Sequence, residues 1–379
     1  MKREDRVPRP DWPQRMEALG FEFHSIDGVY WDERVCYRFT REEIDTLEIA
    51  TNTLHEMCIE AAGHVIETGT YEKFAIPDAF IPMVEHSWNA DEATLFGRFD
   101  FSWDGHGAPK MLEYNADTPT SLIEASVAQW YWLEEAVRNT TPAADQFNSL
   151  HEKLIARWQE IGAALPDKTV HFTGVGDSEE DVGNLDYLTD VATQAGLVPT
   201  FIDIADIGWD AVAKTFADIE NKEIRTLFKL YPWEWLTREP FGMNLIDSDM
   251  KLIEPPWKML LSNKAILPVL WKLFPNHPNL LAAYYEPQKF ATDFVKKPIL
   301  SREGANVTIT TQGREISVPG EYGAEGYIYQ AYHPLPVYGG SHTVIGSWII
   351  GDEAAGIGIR EDESPVTKNS SRFVPHYFL

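Results

Sequence analysis

Arg98 and Asp100 stand two residues apart, and Glu113, Asn115 and Asp117 repeat the same spacing a short distance on. Side chains two apart on a strand share a face, so each segment carries one polar stripe. The opposite faces hold Phe99, Phe101, Leu112 and Tyr114. Asp104-Gly105-His106-Gly107 between them is strong turn chemistry. A turn centred between His106 and Gly107 sets Asp100 opposite Glu113 and Arg98 opposite Asn115. Two facing carboxylates repel by about 4 kcal/mol in a poorly solvated site. A cation between them removes that conflict. Two carboxylates and an amide oxygen are hard ligands, suited to Mg²⁺ completed by water and nucleotide phosphates. Arg98 beside them is placed to stabilise a migrating phosphoryl group in the manner of an arginine finger. The competing reading is the solvated face of an amphipathic hairpin. Strongly apolar neighbouring faces weigh against it.

The hairpin runs into a helix expected to start at Thr118-Pro119, with proline in the first turn. A helix start offers free N–H groups and a positive dipole end to a carboxylate or phosphate, and Thr118, Thr120 and Ser121 add hydroxyls. The competing reading of Thr118 is a plain N-cap, and the two roles are compatible. Upstream, Thr40 and Glu43 form a capping-box pattern ahead of Ile44, Leu47, Ala50, Leu54, Met57, Ala61 and Val65, and Gly69 ends the run. That predicts a long amphipathic helix with Cys58 on its buried side. A further helix is expected over 145–161. Strands at 170–175, 198–204 and 225–230, with helices at 179–194 and ahead of 225, imply a parallel layer. Short strands follow at 307–311, 316–318, 327–332 and 342–350. The expectation is an α+β enzyme with an embedded α/β layer, one unit over 1–379. Residues 1–165 hold helices and the hairpin, 166–235 the layer, and 236–379 the remaining strands.

With 59 acidic against 32 basic residues, the formal net charge is −27. Such a field repels nucleic acid and anionic membranes, so a phosphate site must gather its positive charge locally. Cys36 and Cys58 are the only cysteines, too few for a metal cluster and unpaired by any redox motif. No apolar stretch is long enough to cross a bilayer and the N-terminus lacks an apolar leader, which points to the cytoplasm.

Arg98-Phe99-Asp100 followed by Glu113-Tyr114-Asn115-Ala116-Asp117 resembles the synthetase domain of glutathionylspermidine synthase and its stand-alone acid–amine ligase relatives. The similarity extends from Tyr30-Trp31 to Arg360-Glu361-Asp362. It implies an ATP-grasp-like fold and an ATP- and Mg²⁺-dependent carbon–nitrogen ligase. By resemblance Asp100, Glu113 and Asn115 bind Mg²⁺, and Arg98 contacts the transferred phosphate as the catalytic residue. Lys264, in Asn263-Lys264-Ala265-Ile266, and Lys297, in Val295-Lys296-Lys297-Pro298, match the two nucleotide-binding lysines. Arg302 and Gly304 fall in a segment similar to the mobile loop over the phosphates, and Gln330 and Tyr332 in one similar to the adenine strand. No glycine-x₄-glycine-lysine P-loop is present. Thr118, Thr120 and, by proximity, Ser121 fall where the acid substrate binds. Glu179 and Glu180 resemble an acidic pair near the polyamine and are equally suited as helix-dipole partners. Arg360 resembles a substrate-contacting arginine. Leu230 departs from the pattern, standing where the glutathione-using enzyme has a hydroxyl residue. The implied partners are a glutathione- or peptide-like acid and an amine. The alternatives are a peptide or amino-acid ligase, an inactive nucleotide-binding homologue, and a metal-dependent phosphohydrolase.

Overall fold

In a computed structural model, which describes residues 1–25 and 28–379, the long helix spans Arg41–Thr68. Thr40 Oγ1 accepts from Glu43 N and the Glu43 side chain returns to Thr40 N, while Gly69 adopts φ 63° to stop the helix. Cys58 is fully buried on its inner face. That face packs under an antiparallel sheet whose spatial order is Arg372–Val374, Glu353–Asp362, Ser341–Ile350, Phe96–Ser102, Lys110–Asn115. Thr51 Oγ1 meets Ser347 Oγ at 2.7 Å across the contact.

The three strands expected from the alternating periods form the parallel layer, and Lys251–Ile253, which the sequence reading did not place, adds a fourth at its edge. Lys251–Ile253, Thr226–Lys229, Thr169–Gly174 and Val198–Asp203 lie side by side, all parallel. The helices Leu150–Ala164 and Glu179–Gln194 belong with it, burying Trp158, Leu185 and Leu188 against Val170 and Phe172. A third, antiparallel sheet carries Ala283–Tyr284, Tyr327–Ala331, Phe294–Pro298, Thr308–Thr311 and Arg314–Ser317. Among the described residues no helix is long and apolar enough to cross a membrane.

Three expected helices are corrected. The one placed at Thr118 begins only at Leu122, because Asn115 Oδ1 takes the N–H groups of Asp117 and Thr118 in a tight turn and Ser121 adopts φ 69°, outside the helical range. The helix placed over 145–161 spans Leu150–Ala164, since Asp145 and Asn148 bridge to Phe378 and Gly356 instead. Ahead of Thr226, a 3₁₀ turn and a small hairpin, Gly208–Asp210 with Thr215–Ala217, replace the expected helix. Asp210 Oδ1 accepts from Val212 N and Ala213 N and makes a tight turn there.

Candidate active site

At its chemical end the hairpin has the expected register, with Arg98 opposite Asn115 and Asp100 opposite Glu113. Beyond Asp100 the register shifts, so that Phe101 opposes Met111 and Leu112 becomes an extra residue. The symmetric turn is therefore corrected to a bulged hairpin. The bulge leaves the Leu112 carbonyl to accept from Lys297 Nζ at 2.8 Å. On the apolar face Phe99 stacks on Tyr114 with ring centres 3.9 Å apart. Gly97 lies against Tyr114, where a Cβ would come 2.5 Å from the hydroxyl oxygen. With that face locked into the core, alternation turns Arg98, Asp100, Glu113 and Asn115 into a cleft of about 530 Å³.

Basic groups flank the carboxylates. Arg98 Nε donates to Asp100 Oδ1 at 3.0 Å and Nη1 to the Thr120 carbonyl at 2.6 Å. Gly346 gives the arginine room, since a Cβ there would stand 3.0 Å from Arg98 Cδ. Lys264 Nζ lies 3.3 Å from Glu113 Oε2 and donates to the Ser301 carbonyl at 2.9 Å. Lys297 Nζ also donates to Gln330 Oε1 at 2.8 Å. Burial raises the Asp100 carboxyl above its usual range; Arg98 only partly offsets this, and Glu113 opposite adds to it. Burial acts the same way on Glu113, but Lys264 and Lys297 outweigh it and hold that carboxyl below the usual range. Burial lowers the Lys297 ammonium to about 8 in spite of Glu113.

The carboxyl ends of the parallel strands close one side of the cleft through Val175, Ser178, Leu230 and Pro232, the usual place for a ligand in such a layer. Glu234 and Trp235 follow them, and the loop 301–304 comes over from the third sheet. Arg302 ties that loop down. Its Nη2 donates to Thr118 Oγ1 at 2.8 Å, Nε lies 3.4 Å from Glu234 Oε1, and the guanidinium sits over the Trp235 ring. Gly304 has φ 69°, and a Cβ on it would collide with Val366.

With this geometry the chain matches, over residues 3–379, the family described as glutathionylspermidine synthase preATP-grasp. The chain belongs to this family. It is 44% identical to a Haemophilus influenzae protein named "Putative acid–amine ligase", covering the whole of both chains. It is 30% identical to trypanothione synthetase of Crithidia fasciculata over 84% of this chain, which spans 53% of that protein's length. Among solved structures, a glutathione synthetase-like effector of Globodera pallida aligns over 99% of this chain and all of its own, with a TM-score of 0.58 at 10% identity. The fold is α+β, of the glutathione synthetase-like, ATP-grasp type.

In this member of the glutathionylspermidine synthase preATP-grasp family most of the candidate residues converge. Arg98, Asp100, Glu113, Asn115, Thr118, Thr120, Glu180, Lys264, Lys297, Arg302, Gly304, Gln330, Tyr332 and Arg360 all line the cleft. Two do not. Ser121, at φ 69°, turns its hydroxyl away to Tyr30 and Arg360. Glu179 is exposed outside, because one step along a helix rotates a side chain by about 100°. Two residues on, Asp181 faces inward and is pushed up to about 6 by burial, with Glu180 adding to the rise. Arg360 acts as a loop clamp, donating to the carbonyls of Lys368, Asn369 and Ser371 at 2.7–3.0 Å. The sequence reading missed Asp181, Glu234 and the Leu112 carbonyl. Only Asp181 left a signal, as an acidic residue in the first turn of a helix already placed.

For Mg²⁺, the opposed oxygens of Asp100 and Glu113 suit a hard cation. Asn115 faces the same space, though its Oδ1 is engaged by two backbone N–H groups. Among the described residues no group of three or more His, Cys, Asp or Glu forms a metal cage. A cation here would therefore complete its shell from phosphates and water.

Proposed function

We propose that the chain is an ATP- and Mg²⁺-dependent ligase that joins a carboxylic acid to an amine through an acyl phosphate, working as one catalytic unit over 1–379. The observation that carries this reading is the facing pair Asp100 and Glu113 at the floor of a cleft into which Arg98, Lys264 and Lys297 also point. A purely structural polar stripe has no need of three basic side chains directed at two carboxylates.

When bound, Mg²⁺ would neutralise charge between nucleotide phosphates and the two carboxylates. Arg98 and Lys297 then hold the γ-phosphoryl group while the acid's carboxylate oxygen attacks phosphorus and the bond to the ADP oxygen breaks. The amine nitrogen next attacks the acyl carbon, the carbon–oxygen bond to phosphate breaks, and the amine gives up a proton. The loop around Arg302 and Gly304 covers the cleft and keeps water from the activated acid. Glu180 and Asp181 give the cleft an acidic side suited to an amine. Leu230 presents an alkyl surface where the resemblance places a hydroxyl in glutathione-using members, which favours a different acid.

The test is ADP release with pools of acids and amines, read together with mass spectrometry for the new amide. A ligase releases ADP only when both substrates are present. Asp100→Asn and Glu113→Gln should each lower that rate by at least about a thousandfold, on the scale of losing a transition-state charge partner, with the circular dichroism spectrum unchanged. Full activity in either variant, or ADP release without an acid and an amine, defeats the reading.

A further inference from the structure

Ser121 holds a left-handed backbone at φ 69°, a conformation unfavourable for serine that glycine adopts freely. The residue is buried, so it offers the cleft no surface. What serine adds over glycine at this position is the hydroxyl oxygen, and that oxygen is engaged twice. Arg360 Nη1 donates to it at 3.2 Å, and the Tyr30 hydroxyl also lies 3.2 Å from it. The Tyr30 hydroxyl in turn donates to Glu124 Oε1 at 2.6 Å. A guanidinium has donors and no acceptor, so the order of protons along the chain is fixed. Arg360 donates to Ser121, the serine proton goes on to Tyr30, and the tyrosine proton ends on Glu124. Bonds that all run one way polarise one another.

Glu124 does little for the core on its own account. It is fully buried on a helix whose Leu122, Ile123, Ala125 and Ala128 are buried apolar residues, and its Oε2 has no partner. An alkyl side chain there would spare the fold a buried polar group. What the carboxyl supplies is an acceptor for the chain that leads to Arg360. At the other end, the guanidinium lies over the Tyr30 ring, 5.4 Å from its centre. Its Nε serves the Ser371 carbonyl and its Nη2 those of Lys368 and Asn369, in the loop that walls the cleft through 365–369. Every guanidinium N–H but one, on Nη1, is thus engaged. Arg360 itself lines the cleft, and its charge acts on Asp100.

We propose that Glu124, Tyr30 and Ser121 are positioning residues for Arg360. They fix the guanidinium, and through it the loop 365–369, at the wall of the cleft. None of the three lines the cleft. Their effect reaches it only through the arginine.

Ser121→Gly is the leading test, because it removes the oxygen, relieves the backbone and leaves the core intact. Hydrogen exchange of the full chain is followed by mass spectrometry at pH 8, above the value of about 7 to which burial raises Glu124. The Lys368 and Ser371 amides, which bond within the loop, should exchange at least about fivefold faster in Ser121→Gly than in wild type. The helix Arg41–Thr68 should exchange as before. Tyr30→Phe should match Ser121→Gly, and the double variant should be no faster than either, as for two links of one chain. Glu124→Gln keeps an oxygen for Tyr30 and should stay within about twofold of wild type, whereas Glu124→Leu should match Tyr30→Phe. No turnover is read here, so the result stands whether or not the ligase reading holds. A second arm rests on that reading. With the acid and amine that the ADP screen yields, Ser121→Gly should lower turnover about tenfold while KM for ATP stays within about twofold. Absence of ADP release in wild type sinks the ligase reading and leaves the exchange arm to decide. Wild-type exchange or wild-type turnover in Ser121→Gly overturns the proposal. So do multiplied effects in the double variant, equal acceleration in Glu124→Gln and Glu124→Leu, or equal acceleration in the helix Arg41–Thr68.

Discussion

Arg98 is held by geometry that a lysine cannot reproduce. Its Nε engages Asp100 while Nη1 engages the Thr120 carbonyl, two directions at once from one planar group. A lysine offers a single point charge on a flexible stem. Arg98→Lys should therefore lower the ligase turnover by about a hundredfold while KM for ATP changes by less than about threefold, a loss confined to the transition state. A rate within threefold of wild type would show that Arg98 is only a surface charge. Gly346→Ala tests the same arrangement without touching any charge. The added methyl would stand 3.0 Å from Arg98 Cδ, closer than van der Waals contact allows. A fall of about tenfold in turnover with unchanged thermal midpoint is expected, from displacement of the guanidinium. Unchanged turnover would mean that the arginine tolerates the shift.

The hairpin and the parallel layer must keep a fixed separation for the cleft to work, and a fully buried ion pair joins them. Lys229 Nζ donates to Asp117 Oδ1 at 2.5 Å, and Asp117 Oδ2 accepts from Trp233 N at 2.9 Å, next to Glu234. Removing one partner strands the other charge in the core. Lys229→Met should thus cost about 3–5 kcal/mol, whereas Lys229→Met/Asp117→Asn should cost less than the sum of its single variants. Additive losses in urea unfolding would show that the two side chains do not act as a pair. This join also marks where the sequence stops being legible. The long helix, the helix Glu179–Gln194 and the chemical end of the hairpin follow from caps, periods and alternation, all signals within a few residues. The bulge at Leu112 depends on Lys297, 185 residues away, and the Asp117–Lys229 pair spans 112. The turn that Asn115 Oδ1 makes with Asp117 N and Thr118 N, and the left-handed Ser121 at φ 69°, keep 118–121 out of the helix, so the preference of proline for a first turn wrongly starts it at Pro119. Glu234 was invisible because nothing in Trp233–Leu236 sets it apart from a surface turn.

Across the whole molecule, two buried groups pull the acid dependence of stability in opposite directions. His376 is buried, with Nδ1 beside Gln129 Oε1, and burial lowers its pKa to about 3. It stays neutral in the fold but takes up a proton in the unfolded chain below its ordinary value of 6.5. Stability from this group is therefore lost as pH falls below that value, by about 2 kcal/mol at pH 5. Glu124 works in the other sense. Burial raises it to about 7, with the Tyr30 hydroxyl on Oε1 pulling the other way and Glu180 adding to the rise. In the fold it is protonated below that value, while the unfolded chain still carries it ionised down to about 4.5. Its contribution is gained as pH falls through 7, again by about 2 kcal/mol at pH 5. Wild type should hence show little net change from this pair between pH 7.5 and pH 5. His376→Gln should lose about 2 kcal/mol less than wild type over that interval, and Glu124→Gln about 2 kcal/mol more, measured by urea unfolding at fixed ionic strength. Parallel pH profiles for all three proteins would show that neither group titrates differently in the folded and unfolded chains.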